Sequence, residues 1–374
     1  MSWLYPTEAE KTVRQMAERA ESLPEGVEKI ALCEEIVRFA DESRDLRAQY
    51  RAREELSKAA LQGGVPEKGL VAYSWCLAQF DKHPGEFDEW ALLWRYKWIV
   101  NSICDFPQIP KEQIHAMLDD MERRYLKGGY GLRPVYFYRH HAEKFWGNRK
   151  KAIRHYRRSR QLPDDDVSDC RACDTDGQSY FQLYLGDYER AVSIARPLIE
   201  GGRACRTVPH RTFARMLIPL LVRLNRCEEA WDYHVRGYAL FSAHDINMLE
   251  LVSDHLAFLA LYGDVERAAT LFEKHYPWSE KNTNVFDRLT FYRAAWLFLE
   301  VASDTGREVL RLRLPETFPL YDAGGSYETM RLKEWFEARA RETAKRFDAR
   351  NGNDHVTKEL EALIALKTPV PGGR

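Results

Sequence analysis

Four residues of this chain have types and spacing suited to chemistry. Asp169-Cys170-Arg171-Ala172-Cys173 is followed by Cys205-Arg206-Thr207-Val208-Pro209-His210, so a Cys-x2-Cys half-site and a Cys-x4-His half-site stand 31 residues apart. Two thiolates at the first spacing chelate one ion, and three thiolates with one imidazole form a closed ligand set for Zn2+. A closed set leaves no position for water, so the expected role of the ion is structural, not catalytic. Two other readings stand beside this one: four incidental small or buried residues, or a redox-responsive thiol cluster. The interval is longer than in small zinc fingers, so the metal reading requires elements that bring the half-sites together.

Those elements are legible as a repeat. Phe145-Trp-Gly147-Asn-Arg-Lys-Lys-Ala152, Leu185-Gly186-Asp-Tyr-Glu-Arg-Ala191, Leu224-Asn225-Arg-Cys-Glu-Glu-Ala230 and Tyr262-Gly263-Asp-Val-Glu-Arg-Ala268 align, with a Gly or Asn five residues before each Ala. The alanines are spaced by 39, 39 and 38 residues. Gly or Asn suits the left-handed residue that ends a helix, and a following Asp or Asn suits the cap of the next. A small Ala lets two helices approach closely. Apolar residues recur at helical spacing on both sides of each turn, as in Phe213, Met216, Leu217, Leu220, Leu221 and Leu224. Pro219 inside that stripe should kink its helix. No segment shows the period-2 alternation of strands.

With this register, Cys170 and Cys173 open the first helix of one repeat. Cys205 and His210 lie 35 and 37 residues further on, at the start of the first helix of the next. Neighbouring helices in a stack lie about 8–10 Å apart, so one repeat length brings the half-sites together.

The turns at 185–191 and 262–269 closely resemble the tetratricopeptide consensus, as do Tyr156 and Phe272 four residues after their alanines and Pro163 near the usual terminal proline. Ala195 and His234 replace the aromatic in the middle copies, and the period exceeds the family's about 34 residues. The resemblance spans roughly residues 132–277. It implies an all-α fold, a TPR-like α-α superhelix or helical-hairpin solenoid whose first helices line a groove for peptides. The Asp-Cys-x-x-Cys…Cys…Pro-His pattern is also similar to one found in bacterial repeat proteins, a likeness that implies no activity.

The remaining chain is organised around this array. Residues 1–131 are expected to form degenerate helical hairpins, with helices at 67–82, 87–104 and 110–127 and one long or broken helix over 26–62. Residues 132–281 carry the clear repeats. Residues 282–374 cap the stack, with helices at 282–303 and 326–350, a Pro/Gly-punctuated loop from Leu312 to Gly325, and a frayed end from Pro369.

Composition limits the function classes. A net charge of -1 gives no ground for wholesale nucleic-acid or membrane binding. No secretory signal or membrane-spanning stretch is visible, and seven scattered cysteines do not make a secreted disulfide framework. A cytoplasmic address is expected. Cys33, Cys76, Cys104 and Cys227 lack nearby second ligands and read as buried small residues. No phosphate-binding glycine loop, HExxH or Gly-x-Ser-x-Gly occurs, and the chain reads as a non-enzyme.

Three further groups are candidates for contact with a partner. Arg133, Tyr136 and His140 on one first helix, and Arg288, Tyr292, Arg293 and Trp296 on another, would suit a carboxylate-bearing peptide. Residues 139–160 hold nine Lys/Arg against one Glu, including Arg149, Lys150, Lys151, Arg154, Arg157 and Arg158. That run is either a patch for RNA phosphates or an acidic peptide, a solvated face, or a partner of Asp164, Asp165 and Asp166. Trp90, Trp94 and Trp98 are either core or the floor of a peptide groove. His234 reads as a core histidine. The expected function is a protein- or peptide-binding scaffold with a structural zinc; RNA or phosphate binding, and a zinc or redox switch, are the alternatives.

Overall fold

A computed structural model describes residues 6–202 and 204–367. The expectations for the first five residues and for the tail from Pro369 lie outside them. The fold is all-α, and helices consecutive in sequence pack against one another in each of two compact units. No helix among the described residues is long and apolar enough to cross a membrane.

The first unit comprises residues 6–168 with the short segments 243–247 and 282–284. Its helices are α1 (Glu8–Glu21), α2 (Val27–Ser43), α3 (Leu46–Gln62), α4 (Pro66–Lys82), α5 (Glu89–Ser102), α6 (Lys111–Gly128), α7 (Arg133–Phe145) and α8 (Arg149–Gln161). The run over 26–62 is broken: Arg44 takes a left-handed conformation, and Asp45 caps α3 by accepting from the Ala48 amide at 2.9 Å. Of the tryptophans of α5, Trp90 is exposed and Trp94 and Trp98 are half-buried. Trp90 stacks on Trp94, and the fully buried Lys97 sits 3.3 Å from the centre of the Trp94 ring while donating to the Val167 carbonyl. Trp90 also donates to the Asp166 carbonyl, so the cluster ties the segment after α8 back to α5.

The second unit comprises residues 169–242, 248–281 and 285–367. It contains α9 (Arg171–Leu185), α10 (Tyr188–Ile199), α11 (His210–Ile218), α12 (Cys227–Tyr238), α13 (Leu249–Tyr262), α14 (Val265–Lys281), α15 (Val285–Asp304), α16 (Thr329–Asn351) and α17 (His355–Ile364). The Leu312–Gly325 loop is closed at its base by an antiparallel pair, β1 (Val309–Arg311) with β2 (Ser326–Glu328). Strands of three residues are too short to show alternation in sequence. Pro219 does interrupt its helix: α11 ends at Ile218 and a single π-helical turn, Pro219–Arg223, follows.

The four turns of the repeat share one geometry. Gly147, Gly186, Asn225 and Gly263 all have φ between 54° and 87°, a region glycine enters freely and Asn tolerates. Ala152, Ala191, Ala230 and Ala268 are all fully buried. Asp187 and Asp264 cap the helices that follow, accepting from the Arg190 and Arg267 amides. Equivalent positions also make equivalent bonds. His140 Nδ1 meets the Ala152 carbonyl at 2.9 Å, and 39 residues later Ser179 Oγ donates to the Ala191 carbonyl at 2.8 Å.

His234 is a core residue with a partner: its Nδ1 lies 2.9 Å from Nδ1 of His255, and Tyr238 Oη lies 2.7 Å from Nε2 of His275. Burial lowers His234 to about 4, His275 to about 3 and His255 well below its usual value. Groups held neutral in this way contribute their full stability above the unfolded value near 6.5. They lose it as pH falls toward the folded values, at about 1.4 kcal/mol per pH unit for each histidine. Asp254 works oppositely, since burial and then Glu250 raise its carboxyl to about 7. Urea unfolding between pH 6.5 and 5 should therefore depend less on acid in a His234→Gln, His255→Gln double variant than in the parent. An unchanged pH dependence would mean that these rings protonate without opposing the fold.

Candidate metal centre

The sequence brings three thiols together at the start of α9 and in the turn before α11. Cys170 is the residue preceding α9, in extended conformation, and Cys173 lies in its first turn. Cys205 is fixed by a short antiparallel bridge, its amide donating to the Val208 carbonyl at 2.9 Å and its carbonyl accepting from the Val208 amide at 3.3 Å. The Sγ atoms of Cys170, Cys173 and Cys205 all lie within 4.8 Å of one another, and those of Cys173 and Cys205 are 3.4 Å apart. Cys170 is exposed and the other two are half-buried. Together they could hold a metal ion.

Their electrostatics are asymmetric. Burial raises the Cys173 thiol strongly despite the nearby Arg211. Burial also opposes ionisation of Cys205, but backbone hydrogen bonds from the 207–208 turn and the Cys173 thiol outweigh it and lower that group. Of these two thiols, Cys205 is the better prepared to ionise.

His210 stands apart from the three thiols: it opens α11, but is not within the group of donors at mutual 4.8 Å. Its Nε2 lies 3.2 Å from the Leu240 carbonyl, and its ring packs edge-on to Phe241. Because a carbonyl only accepts, that contact places the proton on Nε2. Nδ1 is left as a buried lone pair without a hydrogen-bond partner.

An ion-pair fastening lies one turn further along α9, and sequence reasoning missed it. Asp176, 2% exposed, accepts from Arg211 Nε at 2.7 Å, Thr212 Oγ1 at 2.7 Å and Arg215 at 3.1 Å. Burial alone would raise its carboxyl, but the two guanidinium groups and the hydrogen bonds hold it below the usual range. Arg215 also lies over the Tyr180 ring at 4.0 Å. The available signal was the interval: Asp176 and Arg211 are 35 residues apart, as are Cys170 and Cys205.

The proposed partner residues are dispersed into other duties. His140 is buried and bonded to the Ala152 carbonyl, Arg133 pairs with Asp164 at 3.2 Å, and Tyr136 stacks on His155. Tyr292 is buried against Trp335 and Phe336, accepts from Arg288, and lies one turn from the buried Trp296, which donates to Glu300. Arg293 is half-buried, with no hydrogen bond or ion pair to it among the described residues. The α8 residues Arg149, Lys150, Lys151, Arg154, Arg157 and Arg158 are all exposed. Cys33, Cys76 and Cys104 are buried as expected, whereas Cys227 is half-buried.

No protein-family model matches the chain, and comparison with curated proteins gives no match. Breaking a buried ion pair by removing one partner leaves the other charge uncompensated, at a cost of about 3 kcal/mol. Asp176→Ala should lower unfolding stability in urea by about that amount, toward the lower end because Arg211 and Arg215 retain some solvent. A loss under about 0.5 kcal/mol, the scale of an ordinary surface change, would show that the carboxylate does not fasten the helices.

Proposed function

We propose that this chain is a non-enzymatic, TPR-like scaffold that holds a protein or peptide segment, and that one structural Zn2+ fastens two of its successive hairpins. The observation that carries the metal assignment is the convergence of Cys170 and Cys173 with Cys205, from two neighbouring first-helix starts. Three thiolates are a soft donor set suited to Zn2+ among divalent ions, and a fourth ligand completes a tetrahedron. His210 supplies it. A ligating histidine commonly donates its other ring N–H to a backbone carbonyl, and His210 has that arrangement, with Nε2 on Leu240 and Nδ1 unpartnered. The ion would fix the angle between α9 and α11, and with it the spacing of the residues those helices present.

The binding half of the proposal rests on the face made by the first helices. Arg215 on α11, Asp254 on α13 and Arg293 on α15 are half-buried, and Asp254 interacts electrostatically with both arginines. Asp254 and Arg293 have no hydrogen bond among the described residues. Such a pair suits the alternating donors and acceptors of a peptide and its charged side chains.

Purified protein should contain about one equivalent of zinc per chain. Cys205→Ser should lose it and melt about 5–10 °C lower, the shift expected for roughly 2–4 kcal/mol in a unit of this size. Protein isolated without zinc, and a Cys205→Ser variant with an unchanged melting temperature, would contradict the metal assignment. The 3.4 Å approach of Cys173 to Cys205 favours a second reading, in which oxidation expels the ion. Zinc release under mild peroxide, reversed by a thiol reductant, would distinguish that switch from a permanent fastening.

A further inference from the structure

We propose that the solvent face of α8 is a docking surface for a nucleic-acid strand, gripped through its phosphates and independent of the metal joint. The helix Arg149–Gln161 carries seven Lys and Arg and no carboxylate, and buries only Ala152, Tyr156 and Ser159. Among the described residues no carboxylate pairs with Lys150, Arg154, Arg157 or Arg158, and Lys151 stands 3.9 Å from Glu143. Several other arginines of the same unit are matched. Arg53 pairs with Asp41, Arg124 with Asp81 and Asp120, and Arg139 with Asp119 and Glu122. The aspartates that follow α8 are not its partners: Asp164 takes Arg133, and Asp165 accepts from the Gly131 amide and from Ser168.

Arg158 lies 5.8 Å over the Tyr136 ring, but charge repulsion along the helix opposes the arrangement. Lys150 and Arg154, and Arg154 and Arg158, are like charges one turn apart, which repel. Arg149, Lys150 and Lys151 fill the first turn, where the helix dipole disfavours cations. A bound polyanion removes both penalties.

The chemistry of the face narrows the occupant. Arg outnumbers Lys, and guanidinium groups grip phosphate oxygens in bidentate pairs. Side chains at 150, 154 and 157 or 158 follow one line along about 12 Å of helix, at 1.5 Å per residue, a row suited to successive phosphates of one strand. A membrane surface is disfavoured because the apolar side of α8 is already buried in the protein, leaving nothing to insert.

The test uses full-length, zinc-replete protein and a fluorescently labelled oligouridylate, read by anisotropy. Four phosphate contacts predict about a 50-fold loss of affinity between 50 and 200 mM salt. Arg154→Glu with Arg157→Glu should weaken binding at least about tenfold and flatten the salt dependence, with zinc content and helicity unchanged. Lys345→Glu with Arg346→Glu, the same charge change on exposed residues of α16, should leave binding intact. Equal losses in the two variants, or none in the first, would overturn the assignment. So would polyglutamate, or vesicles of anionic lipid, binding as tightly as the RNA.

Discussion

Ala152, Ala191, Ala230 and Ala268 lie fully buried where the second helix of each hairpin approaches the first. Any larger side chain there would push the helices apart. The left-handed residue five positions earlier turns the chain sharply enough to make that approach. These two local requirements, repeated every 38 or 39 residues, set the register of the hairpins. The metal-capable thiols and the Asp176 clamp depend on that register, because each joins residues 32 to 39 positions apart, close to one repeat length.

The joint between α9 and α11 carries one fastening within the chain and one set of thiols that could hold a metal ion. The Asp176 cluster is complete within the chain: one buried carboxylate meets two guanidinium groups and a hydroxyl. The thiol cluster is incomplete in the opposite sense. Its donors converge, but one thiol is raised by burial while its neighbour is lowered by backbone hydrogen bonds. A cation would allow all the thiols to ionise at once, which burial otherwise opposes. The two clusters lie one helical turn apart on α9, so a metal ion at the thiols would hold α9 to α11 along a line and not at a single pivot.

Much of this was readable from the chain because it rests on local rules. Glycine at a helix end, Asp after it and Ala at a close crossing each leave a fixed letter, and Cys-x2-Cys has few innocent explanations. Other features leave no such trace. Asp176 looks like a surface residue, since only the partner helix reveals that Arg211, Thr212 and Arg215 surround it. Lys97 is fully buried in a helix whose sequence suggests a solvated lysine, because its acceptor, Val167, lies 70 residues away. His140, Tyr292 and Trp296 were assigned to an open groove, yet they pack inward. A shift of one residue in helical phase separates groove from core, and periodicity alone does not fix phase that finely. The orientation of His210 likewise depends on Leu240, outside its own segment.

The central claim, a zinc ion fastening the α9–α11 joint, is tested most directly by X-ray absorption at the zinc edge of protein purified without added metal. The account predicts about one zinc per chain, with three sulfur neighbours near 2.3 Å and one nitrogen near 2.0 Å. A shell dominated by oxygen, or substoichiometric zinc that dialysis removes, would contradict it.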